Sequence, residues 1–393
     1  MPERRLNIAF VVDRFGSRFG GAEAYGVELM RELAARHDVT VYAREYDVAC
    51  DLSLPFVPIK SWKRWPSWVR VLLFAIRARR LTRAGYDIVH SHMNGWCGDV
   101  EVVHVTPVRY NWRVRPVSIA KKMLSYISPR VQTYLGLEAR RVEPRSAHRT
   151  VAVSTLIADQ LVQAYPNLTT TPVIPPGVVS AWEGDPNERA MTRESLGYSD
   201  EETVCLLVAR NPLRKGLPTV LEALDQLPEH IKLLVVGGNA SVREYIARRN
   251  PADLISRVRL IAETPHVAQY YRAADLYIHP TLNDSFGMAP LEAMSFGLPV
   301  VLSPAPWCGF AQYITAEEEA FVLTHPEDAD ELASYIRRLH ESADLRRRLT
   351  AGGARVVARH SWPTVAQQYE ELYKAILSER ALGHSRNTLS RTV

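Results

Sequence analysis

At 393 residues the chain exceeds what one ordinary hydrophobic core organises, so two domains are expected. Hydrophobic residues make up 47% and charged residues 23%, the balance of a folded, soluble protein. Its four cysteines (Cys50, Cys97, Cys205 and Cys308) are scattered with no CxxC pair, which argues against a disulfide framework or a zinc site and fits a reducing compartment. The opening MPERRLNIAFVV does not read as a signal peptide, and no segment reaches the roughly 20 apolar residues of a membrane span. The net charge of +5 is uneven: basic residues crowd 60–83 and 109–149, so the first half favours nucleic acid, an anionic membrane or an acidic substrate.

In chain order, NIAFVV predicts a strand and AEAYGVELMRELAAR a helix, with Ala24, Val27, Leu29, Met30 and Leu33 on its apolar stripe. VTVYA, YDIVHSH, EVVHVT and RTVAVS read as further strands. Residues 169–187, rich in Pro, Gly and Thr, read as a linker. The βα rhythm then restarts with TVCLLVAR, KLLVVGG, RVRLIAE, DLYIHPT and PVVLSP, separated by helices such as LPTVLEALDQL and APLEAMSFG. Short, apolar, β-branched strands are those of parallel sheets buried on both faces. The expected architecture is α/β, two doubly wound Rossmann-like domains: 1–174 with a returning C-terminal helix over 363–380, and 175–362. The tail after residue 383 is expected to fray.

Three motifs carry chemistry. FGSRFGGAE places Gly20 and Gly21 between a strand and a helix. It is neither a Walker loop nor a GxGxxG fingerprint, but paired glycines at a helix N-terminus let amides approach an anion. VARNPLRKG ends a buried strand and puts Arg210, Arg214 and Lys215 in one loop, where fixed cations can hold a diphosphate and stabilise charge growing on a leaving phosphate. HPTLNDSFGMAPLEAM sets Asp284 before Ser285, Phe286, Gly287 and Met288, with Glu292 in the helix that follows. Amides there suit an anion, and the two carboxylates, eight positions apart, suit sugar hydroxyls.

Together these motifs resemble the retaining GT-B glycosyltransferases of family 4, whose pattern is GGAE after the first strand, a GR…KG loop, and an EGFG-type loop with a second Glu eight residues on. SWPTVAQQYEELY resembles that family's C-terminal Trp segment and crossover helix. PWCGFAQYI and IPPGV resemble its lipopolysaccharide-core glucosyltransferases. Asp284 stands where the family usually has Glu. The resemblance implies two domains facing across a cleft, with Arg210 and Lys215 on the donor diphosphate. It also implies Ser285, Phe286, Gly287 and Met288 lending amides or packing there, Asp284 on the sugar, Glu292 on the ribose, and Gly20 and Gly21 closing over the phosphates. His104 matches an acceptor-side histidine. The resemblance implies no cofactor: the nucleotide sugar, UDP- or GDP-linked, is a substrate, and the acceptor a glycan or lipid-linked hydroxyl.

Other features receive plainer readings. His90 and His92 read as satisfied buried histidines, and neither His-Ser-His nor any other grouping reads as a metal site. Asp328-Ala-Asp330 reads as a helix cap. Trp62, Trp65, Trp68 and Phe74 among the cations of 62–83, and YNWRVRPVSIAKKMLSYISPR, suit an anionic membrane surface or the phosphates of a lipid-linked acceptor, with the enzyme cytoplasmic and peripheral to the inner face of the plasma membrane. No nucleic-acid-binding motif is present. Competing readings are a nucleotide-sugar epimerase or sugar phosphorylase on the same fold, or a non-catalytic anion-binding protein.

Overall fold

A computed structural model describes residues 4–61, 64–168, 171–179, 186–248 and 256–389. Trp62 and Lys63, parts of the Pro-, Gly- and Thr-rich stretch (169–170 and 180–185) and the last four residues lie outside the described residues. The chain divides into two compact units, 1–176 with 362–393, and 177–361.

The first unit is built on six parallel strands: β1 (Asn7–Val11), β2 (Asp38–Ala43), β3 (Phe56–Pro58), β4 (Ile88–Ser91), β5 (Val100–Val103) and β6 (Arg149–Ala152). Their order is β3-β2-β1-β4-β5-β6. Four of five β1 residues are buried, and all of β4 and β5, as sheet strands covered on both faces require. Helix α1 (Gly21–Ala34) buries Tyr25, Val27, Leu29, Met30 and Leu33. Tyr25 and not Ala24 completes the buried stripe, because its large ring reaches the last helix of the chain. That helix spans Trp362–Leu389 and buries Trp362, Val365, Ala366, Tyr369, Tyr373 and Ile376, spaced at helical intervals, in the core of the first unit. The hydroxyls of Tyr25 and Tyr369 share a 2.9 Å hydrogen bond.

The second unit repeats the plan with β7 (Thr203–Val208), β8 (Ile231–Val236), β9 (Val258–Ile261), β10 (Leu276–His279), β11 (Val300–Leu302) and β12 (Phe321–Val322). Their order is β9-β8-β7-β10-β11-β12, again all parallel. Both sheets thus have the 3-2-1-4-5-6 order of a doubly wound fold, in which winding reverses beside the first strand. In the second unit that switch point lies between β7 and β10, and loops leaving the carboxyl ends of those two strands must meet. Asp328 caps the helix Ala329–Glu341 by accepting from the Glu331 amide. Among the described residues no helix is long and apolar enough to cross a membrane.

Candidate active site

The loop after β7 holds Arg210, Arg214 and Lys215 and ends at Gly216, ahead of the helix Leu217–Asp225. Gly216 has φ +88°, and a Cβ there would lie 2.0 Å from the Pro280 carbonyl oxygen. Only glycine lets this loop press so closely on the chain leaving β10. The result is contact: Lys215 Nζ lies 2.5 Å from Asp284 Oδ2 and 3.4 Å from the Asn283 carbonyl oxygen. Arg214 donates to Asn283 Oδ1 at 2.7 Å. Arg210, at the start of the same loop, pairs through Nε with Glu263 at 2.9 Å and must exchange that partner to meet a diphosphate.

Asp284 is fixed from behind. Its amide donates to the Trp307 carbonyl at 2.7 Å, and the Gly309 amide donates to its own carbonyl at 3.1 Å. Its side chain also meets His279 Nε2 at 3.1 Å. A carboxylate only accepts, so Nε2 carries the proton and Nδ1 is left to accept from the Tyr277 hydroxyl, 3.4 Å away. Burial alone pushes the Asp284 carboxyl up. The His279 hydrogen bond and the Lys215 charge outweigh it and hold Asp284 well below the usual carboxylate range. Burial lowers His279, and although Asp284 opposes this the ring stays below its ordinary value and neutral at pH 7. Lys215 and Asp284 are each 21% exposed, so an incoming ligand can reach the pair.

Beside it begins the helix Met288–Ser295. Its cap residue, Gly287, has φ +114° and no side chain to satisfy the first-turn amides, so the helix presents an anion-binding end. Phe286 is buried, and its carbonyl accepts from the Phe310 amide at 2.5 Å, holding the turn against the 304–310 loop. Glu292 accepts from the Tyr271 hydroxyl at 2.9 Å, and burial raises its pKa.

The remaining candidates lie in the first unit. Gly20 is extended and accepts from the Ala24 amide at 2.8 Å, and a Cβ on Gly21 would meet nothing within 4 Å. His104 follows β5 at its carboxyl end, its ring 5.0 Å from that of Tyr25 and 4.5 Å from that of His92. Its Nε2 is buried without a hydrogen-bond partner; burial, then the nearby Arg141 charge, holds the ring at about 3. His90 is bonded at both nitrogens, to the Tyr373 hydroxyl at 2.5 Å and to His92 Nε2 at 3.1 Å. His92 Nδ1 is buried without a partner too, so His92 is not the satisfied histidine expected, and either His104 or His92, but not His90, keeps a ring nitrogen for a substrate hydroxyl.

Residues 188–356 match the family described as "Glycosyl transferases group 1", and residues 19–181 match "Glycosyltransferase Family 4". The chain carries the group 1 and family 4 domains of glycosyltransferases. Among curated relatives, a D-inositol 3-phosphate glycosyltransferase of Xylanimonas cellulosilytica is 28% identical, over 92% of this chain and 93% of its own. The lipopolysaccharide glucosyltransferase WaaG of Escherichia coli is 26% identical, over 84% of this chain and 88% of its own. A crystal structure of WaaG superposes with a TM-score of 0.74 over 93% of this chain and 99% of that one, at 22% identity. Anabaena Alr3699/HepE, solved with UDP-glucose, gives 0.73 over 94% and 100%, at 19% identity. These likenesses establish the GT-B fold.

Two residues of this glycosyltransferase's site lie inside the HPTLNDSFGMAPLEAM motif but receive no role from the sequence. His279 holds the carboxylate opposite Lys215, and its signal was present as a histidine on the last residue of a buried strand five positions before Asp284. Asn283, which receives Arg214, carries no signal, because its role depends on a loop 69 residues away.

Proposed function

We propose that this glycosyltransferase moves a hexose-type sugar from a nucleoside diphosphate to a hydroxyl of a glycan or glycolipid, with retention, in the synthesis of cell-envelope polysaccharide or lipopolysaccharide. The observation that carries the reading is the contact of Lys215 and of His279 with Asp284 at the β7/β10 switch point, beside an uncapped helix N-terminus. In this structure Asp284 is the counter-ion of Lys215. A donor diphosphate supplies a stronger one and frees Asp284 for the sugar hydroxyls. Lys215, Arg210 and the amides at 285–288 then stabilise the negative charge that grows on the leaving diphosphate. Attack from the same face, with the leaving phosphate taking the acceptor proton, gives retention. Glu292 serves the ribose hydroxyls, and the neutral imidazole of His104 orients the acceptor. UDP-glucose in the Anabaena structure and the named activities of WaaG and the inositol phosphate enzyme support a nucleotide-sugar donor and a lipid- or phosphate-bearing acceptor.

The exposed helix Ile119–Ile127 supports a peripheral site on the cytoplasmic face of an anionic membrane. Ile119, Met123 and Ile127 recur every fourth residue and are 82%, 60% and 74% exposed, beside Lys121 and Lys122. Phe74, expected on the same surface, is instead core, only 1% exposed, because it faces the sheet. The helix Ser67–Leu81 contributes its arginines and the exposed Trp65 before it.

The test is a panel of UDP- and GDP-sugars offered with and without truncated glycolipid acceptors. The reading requires nucleoside diphosphate release that depends on acceptor, and a product whose anomeric configuration equals that of the donor. Inversion, or conversion of the donor sugar without transfer, overturns it.

A further inference from the structure

A second cluster of cations lies in the first unit, apart from the donor-site residues of the second. A cavity of about 350 Å³ opens among the residues that immediately precede β4, β5 and β6, at the amino edge of the sheet. His104 follows the opposite, carboxyl edge. Four arginines line the cavity (Arg79, Arg83, Arg145 and Arg380) against a single acid, Asp99. Asp99 is already committed, ion-paired to Arg380, whose guanidinium also donates to the Asp87 carbonyl at 2.8 Å. Three guanidiniums are therefore in excess. Arg79 lies over the Trp96 ring at 5.8 Å, and Arg145 reaches only as far as the Arg140 carbonyl, at 3.4 Å.

His148, in the same wall, is 8% exposed, and its Nε2 is buried with no hydrogen-bond partner. Unsatisfied buried nitrogens are uncommon and point to a group that completes them. Burial, reinforced by Arg145, Arg149 and Arg141, holds this imidazole at about 4, so it meets the cavity uncharged and able to share one hydrogen bond. Compensation of the carboxyl end of the helix Ser67–Leu81 accounts for Arg79. It does not account for Arg145 or for the open nitrogen of His148, which come from another part of the chain.

We propose that this cavity is a binding site for a phosphate group, separate from the donor site, with Arg83, Arg145 and Arg79 as its cationic ligands and His148 as its neutral one. A phosphate offers more acceptor oxygens than a carboxylate and so matches three guanidiniums better. The Trp96 indole beside them gives a flat apolar wall for whatever carries the phosphate.

The test uses the full chain with Lys215→Ala, which weakens the donor site, and inorganic pyrophosphate as the probe in titration calorimetry. Adding Arg83→Gln and Arg145→Gln, both exposed and so tolerable to the fold, should weaken pyrophosphate at least tenfold with an unchanged melting temperature. His148→Ala should weaken it less, by loss of one hydrogen bond. Equal affinity with and without the two arginines, or no binding to the Lys215→Ala protein, overturns the site. Displacement of pyrophosphate by phosphatidylglycerol vesicles assigns the site to a lipid headgroup; its persistence assigns the site to a soluble phosphate.

Discussion

Lys215→Ala separates the two things its ammonium does. In this structure it neutralises Asp284 at 2.5 Å. Breaking a deeply buried ion pair from one side costs about 3–5 kcal/mol, and an exposed pair contributes about 0–1 kcal/mol. With both partners 21% exposed, and His279 still bonded to Asp284, the expected loss of folding stability is intermediate, about 1–2 kcal/mol. The effect on turnover is larger, because the charge on the leaving diphosphate increases in the transition state. Loss of one such donor costs about 10²–10³ in rate, or about 3–4 kcal/mol. The assays are urea unfolding and acceptor-dependent release of nucleoside diphosphate. The decisive variant is Lys215→Ala with Asp284→Asn. It removes the orphaned charge and so should recover part of the lost stability, while activity stays at or below that of Lys215→Ala. An unchanged kcat/KM in Lys215→Ala, or activity that returns with stability in the double variant, refutes the reasoning.

The other carboxylates divide the donor: Glu292→Gln should weaken the free nucleoside diphosphate, whereas Asp284→Asn should spare it and weaken use of the sugar nucleotide; equal losses would remove the division. Gly216→Ala puts a methyl 2.0 Å from the Pro280 carbonyl in a left-handed conformation, so it should cost about 2–3 kcal/mol of stability and lose activity as Lys215→Ala does, measured by the same pair of assays. His104, held at about 3 in the fold and near 6.5 unfolded, is neutral in both states above pH 6.5. As pH falls from there toward 3 only the unfolded chain takes the proton, so His104 should contribute about 1 kcal/mol of lost stability between pH 7.5 and 5.5. His104→Gln should make that acid limb shallower by its own share, leaving those of His90, His92 and His148, which burial also lowers; an identical pH slope in wild type and variant counts against it. Ile119→Ser with Ile127→Ser should reduce sedimentation with phosphatidylglycerol vesicles; a result equal to wild type would return this helix to an ordinary solvated surface.

What the sequence made legible was whatever is local. Five strands in each sheet announced themselves as apolar β-branched runs, and the Lys215-Gly216 and Asp284 loops by their position after such runs. Within the two six-stranded sheets the strands that stayed hidden, Phe56–Pro58 and Phe321–Val322, each lie at the outer edge and are only three and two residues long, too short for periodicity to register. Tyr25 and His279 were hidden for another reason. One is buried by a hydroxyl partner 344 positions away. The other is lowered first by burial, and is then held by Asp284 and pressed by the charge of a lysine brought in from another loop. Neither effect can be read from spacing.

The crossing of residues 362–393 into the first unit has a consequence for biosynthesis. Multidomain chains usually fold from the N-terminus as they leave the ribosome. Here the first unit stays incomplete until its last helix arrives, since Tyr369, Tyr373 and Ile376 are part of its core. The second unit, contiguous in sequence, can close earlier. For the time needed to synthesise nearly two hundred residues, the apolar side of α1 around Tyr25 has no partner from the C-terminal helix. The half synthesised first is therefore finished last, and it is the nascent segment with the longest exposure to chaperones and to aggregation.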